Sequence, residues 1–87
     1  MKYPAQYEKE SETMYSLGFL DFPGAITQGK DMEELHRCAQ DVLSLAIKFN
    51  LDRNIEIPDP SEAEGDDIMW VEPFTEILKR IEQDGNQ

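Results

Sequence analysis

Pro23-Gly24 constrains the chain most, because proline presets φ at about −65° and glycine accepts the positive φ that the next position of a type II turn requires. The pair lies within Phe19–Leu35 and separates two extended segments. Gly29 ends the second of them. Asp31, followed three residues later by Glu34, has the spacing of a capping box, in which two side chains satisfy orphan amides at a helix start. The stretch therefore reads strand, turn, strand, tight loop, helix.

The flanking sequence extends this pattern in both directions. From Lys2 to Glu10, Tyr3, Ala5 and Tyr7 alternate with Lys2, Gln6 and Glu8, as in a half-buried strand. Pro4 has no amide proton, so it belongs at the strand start or at a ladder position without a neighbour. After the short connection Ser11-Glu12-Thr13, the residues Tyr15, Leu17 and Phe19 repeat the alternation, which makes an antiparallel hairpin the expected pairing. Gly18 marks either a bulge, a close approach of another backbone, or a position that needs no side chain. Ala25–Gly29 supplies a third strand, giving a three-stranded meander.

From Asp31 the period becomes helical, with Met32, Leu35, Ala39, Val42, Leu43 and Ala46 on one side and Asn50, tolerant of the left-handed conformation, as the expected stop. Cys38, Leu45, Phe49 and Leu51 widen this stripe. A broad buried face under the last strand or terminal helix is the preferred account of them, with a dimer contact as the alternative. Leu51–Asp67 is an acidic loop carrying Glu62, Glu64, Asp66 and Asp67. Ile68–Val71 follows as a short strand, and Pro73, Phe74, Ile77, Leu78 and Ile81 form an amphipathic helix closed by Gly85. The residues thus predict an α+β domain in the order βββαβα, with the long helix packed on one face of the meander.

At 87 residues the chain is one domain of a size at which a single core is only just sufficient, so a partner surface or self-association is expected. A hydrophobic content of 39% with eight aromatics is too high for wholesale disorder, even at a net charge of −11. A pI near 4.2 disfavours nucleic acid and anionic membranes, whose binding relies on lysine and arginine, and favours a basic protein partner. The lone Cys38 has no disulfide partner in the chain, and there is no apolar stretch of signal or membrane-spanning length. A reducing cytoplasm is the expected compartment.

Chemistry-bearing patterns are sparse. His36 and Cys38 are two apart on a helix and point in different directions, so they make no nucleophile–base pair. There is no glycine-rich phosphate loop and no zinc spacing. If Gly65 is taken as the sixth position of a calcium loop, Pro60 and Val71 fall where ligands are needed. No catalytic residue, metal site or cofactor is expected.

Tyr3, Tyr7-Glu8-Lys9-Glu10, Tyr15, Asp21-Phe22-Pro23-Gly24-Ala25, Thr27, Gly29, the Asp31–Leu35 helix start and Ile57-Pro58-Asp59-Pro60-Ser61 carry a resemblance to a known family. To about Val71 the chain resembles the N-terminal domain of the HicB antitoxins of bacterial toxin–antitoxin systems. Leu20 stands where the family usually has proline, and Met14 where it usually has glycine. The resemblance implies a partial RNase H-like fold and a small basic HicA-like mRNA-cleaving toxin as partner, which this chain would bind and neutralise. A metal-dependent nuclease would need converging carboxylates, whereas the first strand has only Glu8 near its middle, and Asp21 is expected to bond to turn backbone.

The candidate toxin-binding charges are Glu8, Glu10, Glu12, Asp21, Glu62, Glu64, Asp66 and Asp67, and the candidate anchors are Phe22 and Trp70. A core position is the preferred alternative for Trp70; for Phe22 core and anchor are evenly matched. HicB antitoxins usually carry a C-terminal DNA-binding module, but the residues after Val71 are too few for one and hold a single basic pair, Lys79-Arg80, so direct DNA binding is not expected. The expected division is a toxin-binding domain over 1–72 and a short amphipathic helix over 73–87. The rival functions are a stand-alone interaction or oligomerisation domain without a toxin, and a residual RNase H-like nuclease.

Overall fold

The structure, a computed structural model, describes residues 1–85. Its elements follow the order βββαβα: β1 (Tyr3–Ser11), β2 (Met14–Phe19), β3 (Ile26–Gly29), α1 (Met32–Asp52), β4 (Ile68–Val71) and α2 (Thr75–Gly85). Asn86 and Gln87, the end of the expected terminal segment, lie outside the described residues. The sheet is antiparallel throughout, in the order β3-β2-β1-β4. Strand β4 joins beside β1, so the oldest hairpin of the meander becomes the middle of the sheet.

The central turn forms as its residues require. The Ala25 amide donates to the Phe22 carbonyl at 2.9 Å and Gly24 has φ 96°, the positive value that the second central position of a type II turn needs. The Pro4 carbonyl accepts from the Leu20 amide, so the proline nitrogen faces past the end of β2 and no ladder bond is lost. The bulge in the sheet falls between Lys9 and Ser11 and not at Gly18, which pairs regularly with Gln6 and Ile26.

Asp31 caps α1 by accepting the Glu34 amide at 2.8 Å. The Glu34 carboxylate reaches back to the Lys30 amide, one residue before the cap, so the box closes one position early. At the other end α1 does not stop at Asn50. It continues to Asp52, and the left-handed residue is Asn54, with φ 56°. The Ile55 amide bonds to the Asn50 carbonyl and the Asn54 amide to the Leu51 carbonyl, a Schellman closure. The asparagine preference was the right signal, but it was satisfied by the second asparagine.

Cross-strand partners share a face, so Tyr3, Ala5, Leu17, Phe19 and Val71 all turn toward α1 and are buried there. They meet Leu35, Ala39, Leu43 and Ile47, a row at intervals of four on the helix. Burying each large aliphatic or aromatic side chain contributes about 1.5–3 kcal/mol. The expected helix stripe is corrected at three residues. Met32 is exposed, whereas Ile47 and Ser44 are buried.

Helix α2 packs back on α1. The buried Ser44 hydroxyl accepts the Phe74 amide at 2.9 Å, and Gln40 donates to the Glu72 carbonyl at 3.0 Å. Arg80 and Lys48 both reach Asp52, at 3.0 and 2.9 Å, and their hydrogen bonds hold its carboxyl below the usual carboxylate range. Because α2 occupies this flank, it leaves the opposite one bare. Leu45 and Phe49 are 67% and 49% exposed, which overturns the expectation that they lie in a broad buried face. They border an open apolar groove whose other wall is the Phe22–Ala25 turn.

Tyr3 is fully buried and its hydroxyl donates to the Pro58 carbonyl at 2.7 Å, pinning the acidic loop to β1. Desolvation, with the charges of Asp21 and Asp59, pushes its pKa up to about 12. Since this value lies above the ordinary 10.0, Tyr3 supports folding fully below pH 10 and loses that support as pH rises toward 12. Titrated by ultraviolet absorbance, the chain should show a tyrosine ionisation near pH 12, above the ordinary 10.0, and Tyr3→Phe should remove that step.

Candidate partner-binding surface

The helix covers one side of the sheet and leaves the other open. On the open side stand Gln6, Glu8, Ser16, Gly18 and Ile26, which with Asp67 line a cleft of about 570 Å³. Glu8 lies opposite Ser16 in the ladder, and Ser16 donates to the Glu10 carboxylate at 2.7 Å, so Glu8 and Glu10 project from the same face of β1. Gln6 donates to the Asp67 carboxylate at 2.7 Å and fixes it at the rim of this cleft. Two carboxylates from positions far apart in sequence thus border one depression, and no basic side chain lines it.

Trp70 is on this face too. It pairs with Pro4 across the β1–β4 ladder and is 43% exposed, so the preferred core reading is corrected. In a four-residue strand only alternate positions face the helix, and β4 gives that place to Val71. Trp70 instead lines a shallow cleft with Pro60, Ser61, Glu62, Ala63 and Glu64, bringing the aromatic beside two of the predicted acidic residues. Phe22 goes the other way. It is 6% exposed and meets the Tyr3 ring edge-on at a centroid distance of 5.1 Å, so it belongs to the core and has little surface to offer as an anchor.

The remaining predicted residues are more scattered. Asp66 gives its backbone carbonyl to the Tyr7 hydroxyl at 2.8 Å, so the loop returns beside β1. Glu12 sits at the hairpin with Lys9 at 3.8 Å, an exposed pair of little energetic consequence.

Asp21 bonds to backbone as expected, but to a segment forty residues away and not to its own turn. Its carboxylate accepts the Ser61 amide at 2.9 Å and also the Ser61 hydroxyl. This clasp joins the two segments Asp21–Ala25 and Ile57–Ser61 and sets where the acidic loop leaves the core. Asp21→Ala should cost about 1–2 kcal/mol, given the strength of hydrogen bonds to charged acceptors and the partial exposure of this one. Amide exchange should quicken first at Ser61 and its neighbours, and unchanged exchange there would remove the clasp from the account.

Among the described residues no three of His, Cys, Asp and Glu gather closely enough to hold a metal ion. Glu8 and Asp21 line separate clefts. Nor does any described helix have the length and apolarity to cross a membrane. What this surface presents is charge and shape.

A family profile described as HicB_like antitoxin of bacterial toxin-antitoxin system matches residues 2–81. The chain belongs to the HicB-like antitoxin family. It is similar to antitoxin HicB of Escherichia coli, 36% identical over 79 residues that make up 91% of this chain and 57% of that protein. It is also similar to antitoxin HicB 2 of Photorhabdus laumondii subsp. laumondii, 41% identical over 61 residues, 70% of this chain and 43% of the relative. The chain therefore spans about half the length of these HicB relatives. A crystal structure of the N-terminal domain of Burkholderia pseudomallei antitoxin HicB superposes with a TM-score of 0.66, covering 82% of this chain and 93% of that one at 13% identity. That likeness bears on the fold, and it agrees with the α+β architecture that the residues predict.

Sequence reading missed the long-range hydrogen bonds of the fold, among them two made by serines. The Ser44 hydroxyl that receives α2 and the Ser61 clasp on Asp21 are both contacts over long sequence separations. Only the second left a trace, in the two quoted family segments that it joins.

Proposed function

We propose that this chain is an antitoxin that binds and neutralises a small basic HicA-like mRNA-cleaving toxin by covering it. The observation that carries this is the open sheet face, where Glu8, Glu10 and Asp67 stand on one side and Trp70 with Glu62 and Glu64 on the other. An acidic surface steers a cationic protein and selects it, and a half-exposed tryptophan supplies anchoring area. Residues 1–72 would form the toxin-binding domain, with α2 tying down its far flank. In that role the chain contributes no catalytic group. Direct DNA binding finds little support, since Arg80 of the one basic pair is already engaged with Asp52.

The test is co-expression with the short basic protein encoded beside this gene. A stable complex whose association slows as salt rises, and in which RNA cleavage by the partner stops, supports the proposal. A neighbouring product that neither binds nor cleaves RNA would overturn it. The bare Leu45 and Phe49 favour a second reading, a self-associating interaction domain without a toxin. Sedimentation of the isolated chain separates the two, because only the second requires a homodimer that Leu45→Glu dissolves.

A further inference from the structure

The depression on the open face owes its depth to Gly18. A side chain there would stand among Gln6, Glu8, Ser16, Ile26 and Asp67, and its absence opens the floor of the cleft. The glycine is not demanded by the backbone, since Gly18 has no left-handed φ and a Cβ would meet only the Ile26 Cγ1, at an ordinary 3.8 Å. Nothing in the strand itself needs the gap. The walls are unequal, with the Ile26 side chain, 68% exposed, on one side and the Glu8 and Asp67 carboxylates on the other.

We propose that the cleft over Gly18 receives one arginine side chain of a basic protein partner. The proposal deepens the antitoxin reading and rests on it for the source of that side chain. The stem of the arginine lies along Ile26 and the bare Gly18 backbone, and the planar guanidinium faces Glu8 and Asp67, whose charges no neighbouring lysine or arginine in the cleft neutralises. Gln6 keeps Asp67 turned to the rim by its hydrogen bond. A guanidinium suits such a site better than an ammonium because its fork can serve two acceptors at once. Gly18 is then a specificity-determining residue, and filling it blocks the seat without touching the charges.

Titration of the whole chain with the peptide acetyl-Gly-Arg-Gly-amide, followed by amide resonances, is the direct test, with the neutral citrulline peptide as control. The arginine peptide should move the Gly18, Ser16 and Ile26 signals saturably and the citrulline peptide should not. Gly18→Val, which suits a strand and whose Cβ has room beside Ile26, should weaken the response about tenfold or more. Equal shifts with citrulline, or an undiminished response in Gly18→Val, would overturn the proposal. A basic toxin that binds Gly18→Val as tightly as the parent overturns the cleft and leaves the antitoxin reading standing. An arginine peptide seated over Gly18 while no basic toxin binds supports the cleft and removes the antitoxin reading.

Discussion

Gly29→Ala should lose about 3 kcal/mol of stability, while Gly18→Ala, in the neighbouring strand, should change it by less than about 0.5 kcal/mol. A Cβ on Gly29 would stand 2.7 Å from the Leu35 nitrogen and 2.8 Å from the Leu35 Cα, far inside contact distance. These are backbone atoms of the first turn of α1. They are held by the Asp31 cap, with the Leu35 amide on the Asp31 carbonyl at 2.9 Å, so they have no rotamer through which to yield. Either β3 or the helix must move. Overpacking usually costs about 1–3 kcal/mol, and a backbone obstacle belongs at the upper end. In a domain of this size each kcal/mol lowers Tm by about 4–8 °C, so Gly29→Ala should melt about 12–24 °C below the parent. Paired thermal melts decide it, and similar losses at both glycines would refute the close approach.

The contrast between those two glycines also marks what the sequence could disclose. Pro23-Gly24 and the Asp31 cap were readable because their geometry is set within four residues, and the type II turn and the cap both form. Gly18 and Gly29 look alike in sequence, each a small residue in a short strand, and only the passage of α1 over Gly29 separates them. The same limit applied to side-chain faces. Alternation in Ile68–Val71 fixes that Trp70 and Val71 point apart, but the pairing with Pro4 and Tyr3 decides which of them is inside. On α1, the apolar Leu45 and Phe49 looked like core because period alone cannot tell that α2 docks at Ser44 and Asp52, on the other flank. For the candidate surface, composition gave the sign of the charge. Its placement depends on the Tyr3, Tyr7 and Asp21 contacts that fold the acidic loop against β1.

If that placement matters for binding, moving the same charges elsewhere should not substitute for it. The double change Glu8→Lys and Asp67→Lys puts two cations around a cleft that has none, and like charges facing across an interface cost several kcal/mol. Affinity for a basic toxin should fall by more than about a hundredfold at low salt, much of it in the association rate. The control makes the same change in net charge at Glu33 on α1 and Glu56 in the loop, both exposed and outside the cleft. That variant should slow association modestly, and its deficit should fade as the Debye length shrinks with added salt. The cleft variant should keep most of its deficit at high salt, since its repulsion acts at contact distance, where screening is weak. Surface plasmon resonance over a salt series gives both rates for both variants. Coincident salt curves would mean that only total charge is sensed, and the open face would then have no special standing as the binding surface.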